Sequence, residues 1–97
     1  MSVTIWDGFY ANGDSGYFEN GYTPDLGNYT QPDGQSWNND ISSLTTSDWL
    51  YVFDYKDYDR SGNYALLSPG TWYAYELEDL GLNNDISSFY YTNYVPV

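Results

Sequence analysis

The sequence predicts an all-β protein in which two Greek-key motifs form one antiparallel sandwich. The segment NNDISS occupies residues 38–43 and recurs at 83–88, within a chain of only 97 residues. Short stretches of alternating β-branched and aromatic residues recur at matching positions in the two halves, as expected for a duplicated strand pattern. Turns containing Gly and Pro separate these stretches, which favours an antiparallel sandwich over a helical protein.

Each half begins with a predicted strand, VTIWD at 3–7 and LYVFD at 50–54. Aligning Asp7 with Asp54 superposes the apolar residues of the two strands. Because alternate residues of a strand point to the same side, these apolar residues are expected to share an inward face. The residues are Val3, Ile5, Leu50 and Val52.

The later elements follow the same order in both halves. A polar hairpin (8–16 and 55–62) leads to a second strand (17–22 and 63–67) and then to a turn with Pro (23–24 and 68–70). An irregular stretch reaches NNDISS, and a final strand follows at 44–46 and 89–92. One helical turn is expected at 76–80. The two motifs, 3–46 and 49–94, leave no room for a linker, so residues 1–97 are predicted to form a single domain.

The charge balance limits the possible partners. Fourteen Asp and Glu residues oppose only Lys56 and Arg60, which gives a net charge of -12. Nucleic acid and anionic membranes are excluded as partners because little positive charge is present to meet phosphate groups. A cation is the expected partner, since it would screen the self-repulsion. The 22% aromatic content argues against a disordered acidic chain.

The chain contains no His and no Cys. No nucleophile–base pair of the usual kinds can be assembled, so the protein is not expected to be an enzyme. Thiolate and imidazole metal sites are also excluded. Each NNDISS copy instead places five oxygen-bearing side chains around one Ile, which can anchor the segment in a core. Amide, carboxylate and hydroxyl oxygens are the ligands of a hard cation such as calcium.

These features together resemble the βγ-crystallin domain. The calcium signature of that family is Asn/Asp, Asn/Asp, any, any, Ser/Thr, Ser, once per motif, and both NNDISS copies match it at every position. Trp6-Asp7 and Phe53-Asp54 match the aromatic-plus-acidic end of its first strand. The turn Ser68-Pro69-Gly70 also matches. The hydroxyl residues at the fifth position, Ser42 and Ser87, indicate the microbial, calcium-binding branch.

The sequence departs from the family pattern at three places. Both first hairpins are longer than usual. Tyr17 and Asn63 stand where a Ser often follows the hairpin Gly, and Thr23-Pro24-Asp25 replaces a Pro-Gly turn. These departures concern hairpin packing more than the calcium loops.

The resemblance implies two calcium ions at one end of the sandwich, each with ligands from both motifs. The serines would supply hydroxyl oxygens, and the Asn and Asp residues before them amide, carboxylate or backbone oxygens. The aspartates that end the first strands would supply backbone carbonyls. Asn38 and Asn83 are expected to brace the loops through hydrogen bonds to backbone. The implied metal residues are Asp7, Asn39, Asp40, Ser42, Asp54, Asn84, Asp85 and Ser87.

Because this set contains few formal carboxylates, the calcium affinity is expected to be micromolar or weaker. Magnesium should compete poorly, since it prefers a tight octahedron of ligands. An acidic domain of moderate affinity suits an extracellular compartment rich in calcium. The protein is expected to be a monomer or a module of a larger protein.

Other interpretations of single segments were weighed. Residues 57–62 match the start of an EF-hand loop, but position 12 is Ser68 in place of Glu, so a polar hairpin tip is expected. The run at 90–94 is expected to be the last strand. The alternative function is an adhesion or carbohydrate-binding module that uses surface Tyr and Trp, with calcium required only for shape.

Overall fold

A computed structural model describes residues 2–92 of the chain. It contains two four-stranded antiparallel sheets. The strands are β1 Val3–Trp6, β2 Ser15–Phe18, β3 Tyr22–Thr23, β4 Ser43–Thr46, β5 Trp49–Phe53, β6 Tyr64–Leu67, β7 Gly70–Trp72 and β8 Ser88–Thr92. Helix α1 spans Ala74–Asp79, and 3-10 turns span Leu26–Asn28 and Lys56–Tyr58. The end of the second predicted motif, at Asn93 and Tyr94, lies outside the described residues.

The strand order confirms the predicted all-β sandwich of two Greek keys. The first sheet runs β2-β1-β4-β7 and the second runs β3-β8-β5-β6. Within each motif three strands stay in one sheet, while the third strand in sequence crosses to the sheet of the other motif. Strand β3 pairs with β8, and β7 pairs with β4. Each sheet therefore contains strands from both halves of the chain.

The core lies between the two sheets. The four apolar residues predicted to share an inward face are at most 1% exposed. Side chains from β4, β6 and β8 and from the connecting segments join them in one cluster. These additional residues are Leu26, Trp37, Ile41, Leu44, Leu67, Leu77, Leu82, Ile86 and Phe89. The two isoleucines of the NNDISS copies are fully buried, as the sequence indicated.

Most strand ends differ from the prediction by one or two residues, and three elements differ in a way that matters for the fold. The strand predicted at 17–22 is divided, because a turn at Gly21, with a positive φ of 69°, separates β2 from β3 and lets the chain change sheets. Strand β7 occupies residues predicted to be turn or irregular, where Thr71 pairs with Thr45 across the sheet. Helix α1 begins at Ala74, two residues before the predicted helical turn. Its N-terminus is capped at Tyr73, because Glu76 Oε1 accepts the N–H of Tyr73 at 3.1 Å.

A cluster of aromatic side chains lies around Phe53, outside the main core. This ring is fully buried and stacks on Tyr51, Tyr64 and Tyr90 with centroid separations of 5.7 to 6.2 Å. Arg60, at the tip of the second hairpin, lies 5.0 Å from the ring centroids of Tyr51 and Tyr64 and donates to Tyr90 Oη at 3.2 Å. The cation–π contacts attach this hairpin to the second sheet.

No helix among residues 2–92 has the length and apolar character required to cross a bilayer.

Candidate metal centre

The two NNDISS loops lie against each other at one end of the sandwich and are joined by reciprocal backbone hydrogen bonds. The N–H of Asn39 donates to Ile86 O at 3.1 Å, and the N–H of Asn84 donates to Ile41 O at 2.9 Å. Both asparagines have a positive φ, 60° and 58°, a conformation that Asn tolerates better than most residues. The second Asn of each signature therefore forms the tight turn that brings the loops together.

The side chains repeat this reciprocity. Ser42 Oγ donates to Asn84 Oδ1 at 2.6 Å, and Ser87 Oγ donates to Asn39 Oδ1 at 3.1 Å. Each Ser–Asn pair thus contains two oxygen atoms that could bind a metal, one from each motif. Two oxygens that bind one calcium ion at 2.3–2.6 Å lie roughly 3 Å apart, so both pairs have a spacing that a shared ion could use.

Both loops are fixed to the ends of the first strands. The N–H of Ser42 donates to Trp6 O at 2.9 Å, and the N–H of Ser87 donates to Phe53 O at 2.8 Å. The two serines are only 1% and 6% exposed. Their hydroxyl groups are therefore positioned by the strands and not by a mobile surface loop.

The carboxylates of Asp7 and Asp54 turn toward their own hairpins. Asp7 Oδ1 accepts the N–H of Asp14 at 2.9 Å. A Cβ at Gly13 would lie 2.2 Å from Asp7 Oδ1, and a Cβ at Gly62 would lie 2.1 Å from Asp54 Oδ1. The acidic residue and the hairpin Gly therefore form one packing unit in each motif.

Replacing Gly13 by alanine tests this packing unit. Gly34 is the matched control, because both glycines have a similar positive φ, 86° and 90°, but a Cβ at Gly34 would meet nothing within 4 Å. Both variants should lose stability from backbone strain, about 1–3 kcal/mol. The Gly13→Ala variant should lose clearly more in urea denaturation, since its Cβ displaces the Asp7 carboxylate. Equal losses would show that the carboxylate contact contributes nothing.

One side of the paired loops borders an open cavity of about 500 Å³. It brings together four of the predicted ligand residues, Asn39, Asp54, Asp85 and Ser87. Three residues without a predicted role at the site, Asp25, Tyr55 and Lys56, line the same cavity. The turn Thr23-Pro24-Asp25, which replaces the Pro-Gly turn of the family pattern, was not predicted to be part of the site. Aligning the two turns would have placed Asp25 opposite Gly70 and revealed an extra carboxylate in one half.

The other four predicted residues are Asp7, Asp40, Ser42 and Asn84. Ser42 contacts Asn84 through its hydroxyl, and its N–H donates to the carbonyl of Trp6, the residue before Asp7. The carboxylate of Asp40 is already engaged, because Gln31 Nε2 donates to Asp40 Oδ2. Gln31 is buried and was not predicted as a site residue. The two loops therefore share their backbone geometry but differ in the side chains that surround them.

The sixth residue of each signature has a separate role that sequence analysis missed. Ser43 Oγ donates to Gly8 O at 2.6 Å and accepts the N–H of Ala11 at 2.9 Å. Ser88 Oγ donates to Tyr55 O at 2.6 Å and accepts the N–H of Tyr58 at 3.2 Å. These serines fix the first hairpin of each motif. The bracing predicted for Asn83 is not formed through its Oδ1, which is buried without a partner among residues 2–92.

The oxygen atoms that could act as ligands fit a hard cation. Within residues 2–92, no three Asp, Glu, His or Cys side chains converge on one point. A metal here would be held mainly by hydroxyl, amide and carbonyl oxygens, with one or two carboxylates. Calcium accepts such mixed oxygen sets, whereas zinc and copper prefer nitrogen and sulfur.

Comparison with solved structures identifies the fold. The chain superposes on a beta gamma crystallin from Ciona intestinalis with a TM-score of 0.75 at 19% identity, covering 95% of this chain and all of that one. It matches a betagamma-crystallin from an archaeon with a TM-score of 0.70 at 26% identity, covering 94% and 96% of the two chains. A structure concerned with the evolution of the eye lens beta-gamma-crystallin domain fold gives 0.75 at 21% identity, covering 97% and 87%.

No family model and no curated protein sequence matches the chain. The fold is that of a βγ-crystallin domain, as the sequence resemblance indicated.

Proposed function

We propose that this domain binds two calcium ions between its paired NNDISS loops and that calcium stabilises the fold. The reciprocal Ser–Asn oxygen pairs carry the proposal, because each joins the two motifs at a spacing that one ion can bridge. The ligands would be the eight predicted residues, with Asp7 and Asp54 acting through their backbone carbonyls. The domain would be non-enzymatic and would act as a stabilised structural module or a calcium buffer.

The charge of the chain supports the same proposal. At a net charge of -12 the compact state is opposed by self-repulsion, which two divalent ions would reduce. An ion that binds only the folded state adds about 2.7 kcal/mol when its free concentration is a hundredfold above its Kd. Two such sites would supply a large share of the stability of a domain this small.

Thermal melting in calcium, in magnesium and in chelator at equal ionic strength tests the proposal. Calcium should raise the melting temperature by many degrees relative to chelator, and magnesium should raise it far less because it resists losing its water shell. An equal rise with both metals would indicate general screening of the acidic surface. That result would contradict a specific calcium site.

The two sites are expected to differ in affinity. The cavity beside Ser87 is lined by Asp25 and Asp85, with Lys56 nearby, and the carboxylate of its third acidic residue, Asp54, packs against Gly62. The Asp40 carboxylate of the other loop is hydrogen-bonded to Gln31. More free carboxylates raise calcium affinity. Calorimetry should therefore resolve a tighter and a weaker binding step.

Replacing Asp25 by alanine should weaken only the tighter step, by about tenfold for a lost interaction near 1.4 kcal/mol. Asp33→Ala is the matched control. Asp25 accepts the N–H of Gly27 at 2.8 Å and Asp33 accepts the N–H of Gln35 at 2.9 Å, so both variants lose one charge and one local turn bond. If the Asp33 variant weakens calcium equally, net charge and not position determines the affinity.

A further inference from the structure

A second cavity lies apart from the calcium loops, between the edge strand β2 and the segment at 28–32. Its volume is about 560 Å³, within the usual range of small-ligand sites. Phe18 and Trp37 contribute to its lining, with Tyr17 and Tyr29 beside them. Tyr17 is 65% exposed and Tyr29 is 43% exposed, although both are large aromatic side chains. Two tyrosine rings are thus presented to solvent at the edges of one concave surface.

The polar groups of this cavity are all neutral. They are hydroxyl and amide side chains, among them Ser15, Asn28, Thr30 and Gln31, and no Asp, Glu, Lys or Arg lines it. A neutral lining gives no attraction to a charged ligand, while amides and hydroxyls can both donate and accept hydrogen bonds.

Gln31 adds a fixed and unsatisfied polar group. The side chain is 3% exposed, and its Nε2 donates to Ser36 O at 3.2 Å and to Asp40 Oδ2. Because both partners are acceptors, the amide orientation is determined, and Oε1 has no partner among residues 2–92. Because Oε1 is closed to solvent, a ligand could donate to it only after a local rearrangement of the cavity wall.

A smaller cavity of about 250 Å³ shares Tyr17, Phe18 and Tyr29 with the first and adds Glu19, Asn20 and Tyr22, so one carboxylate lies among the polar groups of the combined surface. Tyr22 is 49% exposed. The combined surface, called the β2 groove below, presents three exposed tyrosines, so it can accommodate more than one ring of a chain-like ligand.

We propose that the β2 groove binds a neutral oligosaccharide. Sugar rings offer flat C–H faces for the exposed tyrosines and uncharged hydroxyl groups for the neighbouring amides and hydroxyls. Anionic ligands are disfavoured by the overall charge and by the absence of Lys and Arg from both cavities. The groove shares no lining residue with the cavity beside Ser87, and it is connected to the proposed calcium loops through the hydrogen bond from Gln31 to Asp40.

Titration of isotope-labelled protein with cellohexaose, maltohexaose, chitohexaose and mannohexaose, followed by amide chemical shifts, tests the proposal. At least one of these sugars at millimolar concentration should shift residues 15–18 and 28–31 selectively. The titration is run in calcium and repeated in chelator. Groove shifts in either condition support the proposal, so its outcome does not depend on the calcium sites.

Tyr17→Ala and Tyr29→Ala should each weaken the sugar affinity by up to about tenfold, the effect expected from losing one aromatic contact. Tyr75→Ala is the control, because Tyr75 is 63% exposed on α1 and does not line the groove. Melting curves will show that the variants remain folded. The proposal is overturned if no sugar shifts the groove or if the tyrosine variants bind as well as the parent protein.

Discussion

Replacing Ser42 and Ser87 together by alanine is expected to remove most of the calcium-dependent rise in melting temperature. Each hydroxyl contacts an Asn of the opposite loop, and each is proposed to bind one ion. Two calcium sites at a hundredfold excess over Kd would add about 5 kcal/mol, which corresponds to a shift on the order of 20 °C or more for a domain of this size. In chelator the double variant should lose only the two hydrogen bonds to the asparagines, about 1 kcal/mol each, so its melting temperature should fall much less than it does in calcium.

The neighbouring serines provide the control. Ser43 and Ser88 belong to the same two loops and are equally buried, but their hydroxyls bond the hairpin carbonyls of Gly8 and Tyr55. A Ser43→Ala and Ser88→Ala variant should therefore lose similar stability in calcium and in chelator and keep the full calcium shift. If both double variants respond identically, the fifth-position serines have no special role as ligands.

Replacing Ile86 by alanine is expected to cost about 2–5 kcal/mol of folding free energy. Its side chain is fully buried in the cluster between the sheets, and its carbonyl accepts the N–H of Asn39 from the other loop. The cavity left by truncation would loosen both the core and the loop contact. Urea denaturation in saturating calcium measures this loss.

Leu80→Ala is the appropriate comparison for the isoleucine variant, because Leu80 follows helix α1 and is 39% exposed. It should cost less than about 1 kcal/mol, the usual range for partly exposed sites. A loss at Ile86 as small as the loss at Leu80 would mean that the loops are not anchored in the core.

Much of the fold was predictable because the repeat carries redundant information. Val3, Ile5, Leu50 and Val52 alternate with period two in both halves, and the aligned pairs reinforce each other. The point where the chain changes sheets was not predictable, since Gly21 differs little in sequence from other turn glycines. Strand β7 was missed because its residues, Gly70–Trp72, gain their pairing from the distant strand β4.

At the site, the signature indicated which side chains meet but not how they are arranged. The pairing of Ser42 with Asn84 and of Ser87 with Asn39 depends on how the two loops face each other, which is a tertiary property. The hydrogen bond from Gln31 to Asp40 likewise joins residues nine positions apart through an irregular segment. Such contacts have no periodic signal in the sequence.

Calorimetric titration of metal-stripped protein with calcium tests the proposed centre most directly. Two equivalents of calcium should bind, with one step tighter than the other, and magnesium at the same concentrations should give little heat. Absence of binding heat at several temperatures, together with unchanged melting in calcium and in chelator, would contradict the calcium centre. The paired NNDISS loops would then serve only to join the two motifs.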